Sequence, residues 1–235
     1  MTQPRTKYKS LFFDLDDTLW DTSHNNKACL EEIYVDYRFG NWYDSFDAFY
    51  ARYMPNNLRL WEAYRNNEID RRTLILERFL HVLRPIGIDD EAFVLKLNKD
   101  FLQRTGTKTK LIDGAIDLLE YLFPKYRLFI LSNGFREIQS LKMQNSGLSP
   151  YFARSLLSED VSIQKPNREI FDYALKSTNS RRSESLMIGD SWEADIVGAQ
   201  NAGLDQIWFN PSNPEAKAPQ PTFTVRSLPE IKEIL

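Results

Sequence analysis

The sequence predicts an α/β fold: a parallel sheet with helices on both faces, interrupted after its first strand by an all-helical insertion. Three observations predict it. Short apolar runs alternate with helix-period segments from about Thr109 onward, the pattern of strands linked by crossover helices. The stretch from about Asn26 to Arg104 keeps a three- and four-residue apolar spacing and shows no strand pattern. The 235 residues are 42% hydrophobic and 27% charged with a net charge of −3, values of an ordinary globular chain that needs no staples to fold.

The first element is Tyr8 to Phe13, an aromatic-rich apolar run read as a buried strand that ends in Asp14. In the helical stretch Leu74, Leu76, Phe79, Leu80 and Leu83 form one stripe, and Phe93, Leu97, Phe101 and Leu102 another. Breaks are expected at Gly40-Asn41, Pro55-Asn56-Asn57 and Pro85-Ile86-Gly87. Asp113 is placed to cap a helix over Ala115 to Phe123. Strands then follow at Leu128 to Leu131, Ser155 to Leu157, Ser185 to Ile188, Gln206 to Phe209 and Thr222 to Val225. Helices lie between them: one closed by Gly147, one over Asn167 to Leu175, one over Glu193 to Ala202. Pro211 to Pro221 reads as a loop. The chain therefore divides into a discontinuous α/β core, residues 1–18 and 110–235, and a helical cap, residues 19–109. Both ends of the cap lie beside the first strand's end, so it is expected to sit over that site and to gate it by opening and closing.

Composition excludes several classes. The one cysteine, Cys29, allows no disulfide within the chain. The first apolar run is too short for a signal-peptide core, and Leu128 to Phe135 falls far short of the roughly 20 residues that span a bilayer. Thirty basic residues against 33 acidic leave no electrostatic footprint for DNA or RNA. The expectation is a soluble, cytoplasmic monomer with no membrane or nucleic-acid partner.

The chemistry lies at strand ends, where parallel α/β sheets bind ligands. The first strand runs into Asp14-Leu15-Asp16-Asp17-Thr18, the second into Ser132-Asn133-Gly134, and the fourth into Gly189-Asp190-Ser191 with Asp195 after it. Lys165 precedes Pro166 just ahead of a helix. Asp14 and Asp190 are hard oxygen ligands of the kind Mg²⁺ prefers, and Asp195 can orient Asp190 from behind. The Ser132 hydroxyl, the Asn133 backbone N–H and the Lys165 ammonium are donors suited to phosphate oxygens. Asp16 can serve as general acid and base while Asp14 attacks.

This ordered set resembles the haloacid dehalogenase superfamily. The segments that carry the likeness are Phe13-Asp14-Leu15-Asp16-Asp17-Thr18-Leu19, Leu131-Ser132-Asn133-Gly134-Phe135, Lys165-Pro166, and Gly189-Asp190-Ser191 with Asp195. The resemblance implies a Rossmann-like core whose helical insertion is a C1 cap. It implies Asp14 as nucleophile and Mg²⁺ ligand, Asp16 as acid/base lending its backbone carbonyl to the metal, and Asp190 as a further ligand supported by Asp195. Ser132 and Lys165 would bind phosphate. Members that remove halide lack an acid at the place of Asp16, so the branch implied is phosphoryl transfer from a small phosphorylated metabolite. Within it, Lys165-Pro166-Asn167 and the segment Asp195-Ile196 through Asn201-Ala202-Gly203-Leu204 are most similar to bacterial YjjG-type pyrimidine 5′-nucleotidases. A sugar phosphomutase or sugar-phosphate phosphatase shares the same core motifs, and a non-catalytic phosphate-ligand binder is the reading from another class.

Other residues are assigned blander parts. Trp42, Tyr43, Tyr50, Tyr53, Trp61 and Tyr64 pack the cap, with a base-stacking face among them as the functional alternative. His81 reads as a surface residue and Cys29 as a small core residue. Asp17 reads as a turn residue. His24, Trp20 and Asp21 lie by the cap hinge, where a substrate contact is an open alternative.

Overall fold

The chain forms strands β1 (Ser10–Phe13), β2 (Arg127–Ser132), β3 (Arg154–Leu157), β4 (Ser185–Gly189), β5 (Asp205–Phe209) and β6 (Phe223–Val225). Each coincides with an expected strand, its ends shifted by a residue or two. This computed structural model describes residues 7–212 and 218–235; residues 1–6 and the segment 213–217 of the expected Pro211 to Pro221 loop lie outside the described residues. The strands make one sheet in the order β3-β2-β1-β4-β5-β6, every neighbouring pair parallel. From β1 the chain builds β2 and β3 on one side, then crosses back to β4 and continues outward on the other. The order therefore reverses between β1 and β4, which opens a crevice at their carboxyl ends.

All four residues of β1 are buried, and their alternation assigns them to two faces. Leu11 and Phe13 join a core with Leu128, Ile130, Leu186 and Ile188, packed under α5 (Ala115–Leu122). Phe12 faces the other way, with Phe129 and Met187, under α7 (Arg168–Ser177) and α8 (Gly198–Asn201). Side chains of this size contribute about 1.5–3 kcal/mol each when fully removed from water. The sheet is thus fixed from both sides, as its near-continuous apolar runs require.

Two local expectations are corrected. Asp113 does not cap α5: Gly114 stands at the N-cap position without a side chain to offer, and the Asp113 carboxylate accepts from Lys110 Nζ at 3.2 Å. Pro55 does not break the helical stretch either. It lies inside α2 (Phe46–Arg65), whose buried residues Phe49, Tyr53, Asn56 and Leu60 fall on both sides of it. Asn56 Nδ2 also donates to the Glu77 carbonyl at 3.1 Å. The lost intrahelical bond is outweighed by packing that continues past the proline. The helix expected over Glu193 to Ala202 opens as a π-helical turn, Trp192–Val197, and runs on into α8.

The chain separates into two compact units, one holding the chain up to Thr22 and from Thr109 to Leu235, the other Ser23–Lys108. The second is built from α1 (Thr22–Asp36), α2, α3 (Arg71–Leu83) and α4 (Glu91–Thr107). Side-chain caps start three of them: Ser45 accepts from Ala48 N at 3.1 Å, Asp70 from Thr73 N at 2.8 Å, and Asp90 from Ala92 N at 2.9 Å. Cys29, Phe49, Tyr53, Phe79, Leu97 and Phe101 share its core. Burial also raises the Cys29 thiol, which suits a packing residue rather than a nucleophile. Among the described residues no helix is long and apolar enough to cross a membrane.

Phe79 is fully buried, with its ring 5.3 Å from Tyr53 and 5.8 Å from Phe101. Phe79→Ala is expected to destabilise the protein by about 3–5 kcal/mol in urea unfolding. A loss below about 1 kcal/mol would show that this core does not hold the helical unit together.

Candidate active site

The crevice between β1 and β4 gathers most of the residues expected at strand ends. Asp14 follows β1 directly, and its backbone N–H donates to the Ile188 carbonyl at 2.9 Å, which holds the strand tips side by side. The chain then turns sharply. Asp17 adopts φ 57° and donates its N–H to the Trp20 carbonyl at 2.8 Å, so it is the turn residue expected. The turn sends the two carboxylates different ways: Asp14 points toward Lys165 and Asp16 toward α6 (Arg136–Asn145).

Lys165 is buried, and all three of its protons have acceptors: Asp14 Oδ1 at 2.6 Å, Asp195 Oδ1 at 2.6 Å and the Leu131 carbonyl at 2.7 Å. Its backbone is clamped by Asn133. Asn133 Nδ2 donates to the Lys165 carbonyl and Lys165 N donates to Asn133 Oδ1, both at 2.9 Å. The Asn133 side chain thus fixes the lysine's loop. Ser132 Oγ accepts from Gly134 N at 3.1 Å and from Gln139 Nε2 at 2.7 Å. Its own proton is donated to none of the described residues, which leaves it for a ligand oxygen.

On the β4 side, Thr18 and Asp190 make a reciprocal pair: Thr18 Oγ1 donates to Asp190 Oδ1 at 2.9 Å and accepts from Asp190 N at 3.1 Å. Asp195 is fully buried in the π-helical turn, where its Oδ2 accepts from Ser191 N at 3.1 Å. A Cβ at residue 189 would lie 2.3 Å from that oxygen, so only glycine lets the strand end approach Asp195 this closely.

Asp14, Asp190 and Asp195 each bring a carboxylate oxygen within 4.8 Å of the others. The Asp16 carboxylate is not among them, being engaged by Lys142, Gln139 and Thr22. The Asp16 carbonyl oxygen accepts no hydrogen bond among the described residues. Of the metal set expected from the sequence, Asp14, Asp16 and Asp190 with Asp195 behind, the structure brings together the carboxylates of Asp14, Asp190 and Asp195; the part expected of Asp16 was through its main-chain carbonyl.

The electrostatics follow from burial. Desolvation pushes the Asp14 carboxyl up to about 7, against the attraction of Lys165, with Asp195 and Asp16 adding to the rise. Asp190 is likewise raised well above the usual carboxylate range by burial, then by Asp14 and Asp195. Burial acts to raise Asp16 too, yet the Lys142 charge and hydrogen bonds from Lys142, Gln139 and Thr22 hold it below that range. Four carboxylates here face two ammonium groups, Lys165 and Lys142. Clustered hard oxygen donors with excess negative charge fit a small divalent cation.

Several of these partners were not singled out in the sequence. Lys142 and Gln139 are nearly fully buried although they lie on a polar helix. Their three-residue spacing after Ser132-Asn133-Gly134 was the available signal; a lone lysine on a helix is otherwise read as solvated. His24 and His81 are both exposed.

A family model described as haloacid dehalogenase-like hydrolase matches residues 8–203. The HAD-hydrolase YfnB of Bacillus subtilis is 34% identical over 97% of this chain and 96% of that protein. The pyrimidine 5′-nucleotidase YjjG of Escherichia coli is also 34% identical, over 97% of this chain and 98% of that one. A crystal structure of YfnB bound to magnesium, which reveals interdomain movement, superposes with a TM-score of 0.88 at 32% identity, covering 98% of this chain and 99% of YfnB. A parallel sheet with acids at its switch point, a matching family model over most of the chain, and relatives of equal length make this protein a member of the haloacid dehalogenase-like hydrolase family.

Proposed function

We propose that the chain is a Mg²⁺-dependent phosphatase that hydrolyses a pyrimidine nucleoside 5′-monophosphate through an aspartyl-phosphate on Asp14. The observation that carries this reading is the separation of two acids by one turn. Asp14 is held 2.6 Å from the Lys165 ammonium, and Asp16 is held apart by a different lysine. A nucleophile and an acid/base need such distinct environments. The substrate class is supported by the name of YjjG, matched over nearly the whole chain including its helical unit.

In this mechanism the free oxygen of Asp14 attacks phosphorus, and the bond to the nucleoside 5′-oxygen breaks. Asp16, ionised at rest beside Lys142, takes up the proton of the monoanionic phosphate ester and gives it to the departing oxygen. Water then attacks phosphorus, passes a proton to Asp16, and releases the Asp14 carboxylate and inorganic phosphate. The Ser132 hydroxyl donates to a non-bridging phosphate oxygen, and the Lys165 charge faces the phosphate while it keeps Asp14 aimed. Mg²⁺ held by Asp14, Asp190 and the Asp16 carbonyl would supply positive charge against the phosphate oxygens. Asp195 would steady Lys165 and stand behind the metal. The helical unit, as cap, would select the leaving group.

Phosphate release from uridine and thymidine 5′-monophosphates, set against sugar phosphates, tests the substrate class. Higher kcat/KM on the nucleotides is expected; isomerised sugar phosphate with little free phosphate would identify a mutase instead. Asp14→Asn should lower kcat by at least about a thousandfold, and persistent turnover would contradict the mechanism. Chelation should abolish activity and Mg²⁺ restore it.

Metal binding should also show in stability. The raised Asp14 carboxyl holds a proton in the folded state that the unfolded chain has lost. Its contribution is present below the unfolded value of 3.8 and fades as pH rises to about 7. A cation must displace that proton, so the rise in Tm on adding Mg²⁺ should grow between about pH 5 and pH 7. A rise in Tm independent of pH would place the metal elsewhere.

A further inference from the structure

Both carboxylate oxygens of Asp16 are occupied by side chains that the chemistry above does not use. Thr22 Oγ1 donates to Oδ1 at 2.8 Å, and Lys142 Nζ pairs with the same oxygen. Gln139 Nε2 donates to Oδ2 at 2.6 Å. These contacts are enclosed: Lys142 is 6% exposed and Gln139 2%. The Lys142 ammonium also lies 4.2 Å from the centroid of the Trp20 ring, which covers the charge on a second side. Gln139 reaches Ser132 Oγ with the same amide nitrogen at 2.7 Å. Its amide therefore ties the proposed phosphate-binding hydroxyl to the proposed acid/base. The backbone is shaped for this amide, because a Cβ at residue 134 would sit 2.2 Å from Gln139 Nε2.

We propose that Lys142 and Gln139 are positioning residues for the reaction, holding the Asp16 carboxylate beside Ser132 at the place where the leaving oxygen departs. The inference rests on Asp16 being the acid/base. Its physical content is orientation. A carboxylate on a tight turn can rotate about two side-chain bonds, whereas donors on opposite oxygens fix both its plane and its place. Lys142 is placed to serve Asp16 alone: its charge is spent between that carboxylate and the Trp20 face, while Lys165 serves Asp14.

An alkoxide leaving group needs a proton and a nitrophenolate does not, so a misaimed Asp16 harms the two unequally. The test compares kcat/KM on uridine 5′-monophosphate and on p-nitrophenyl phosphate, because this parameter covers the step in which the leaving group departs. Lys142→Met, Gln139→Leu and Lys142→Arg are assayed with the unfolding midpoint of each. Lys142→Met is expected to lose at least about tenfold more on the nucleotide than on the aryl ester. Gln139→Leu should lose in the same sense, and Lys142→Arg should recover most of the nucleotide activity. Equal losses on both substrates, or none, would overturn the proposal and leave the pair a purely structural part. If Lys142→Met does not fold, the Gln139→Leu ratio decides alone. A wild-type chain inactive on both esters overturns the phosphatase reading itself, and this inference with it.

Discussion

The structure depends on one buried ammonium. Lys165 donates its three protons to Asp14, Asp195 and the Leu131 carbonyl, each within 2.7 Å, and so ties three strand-end segments together. Without it, Asp14 and Asp195 would be buried like charges, and neither could remain both ionised and in place. The sequence led to an expectation of Lys165 as a phosphate donor. The geometry shows a fuller part, since its protons are already committed to the acid it aims. Lys142 does the same for Asp16. Two lysines thus partition one acidic crevice into two chemically different carboxylates.

The sheet makes that partition possible. β1 sits between β2 and β4, with the order reversing beside it, so Asp14 and Asp190 emerge at adjacent tips with nothing of the sheet above them. The tight turn at Asp17 then carries Asp16 away from Asp14 toward α6. Burial raises the affinity of Asp14 and Asp190 for protons. The same pressure that favours a proton there favours a divalent cation, whose charge answers several carboxylates at once. In the proposed mechanism a metal is called for by this imbalance of charge rather than by any single ligand.

Much of this was legible in the sequence, for a physical reason. Strands buried on both faces are short unbroken apolar runs, and the first polar residue after each is forced to the sheet's edge. Asp14, Ser132 and Asp190 could therefore be placed by inspection. Pro55 misled because local propensity was read without the tertiary contacts of Phe49 to Leu60 that carry α2 through it. Asp113 misled because one residue of register separates a capping aspartate from one that pairs with Lys110. Lys142 and Gln139 were invisible for a deeper reason. Their helix is polar, and only the three-dimensional approach of α6 to the turn after β1 turns a lysine that looks solvated into a buried partner of Asp16.

In the proposed mechanism Asp14 carries the phosphoryl group between substrate and water. Rapid acid quench of the enzyme during turnover, followed by peptide mass mapping, tests it most directly. A transient adduct of one phosphoryl mass is expected on the peptide that contains Asp14, formed at least as fast as product appears. Product formed at full rate with no phosphorylated peptide at any quench time would contradict it.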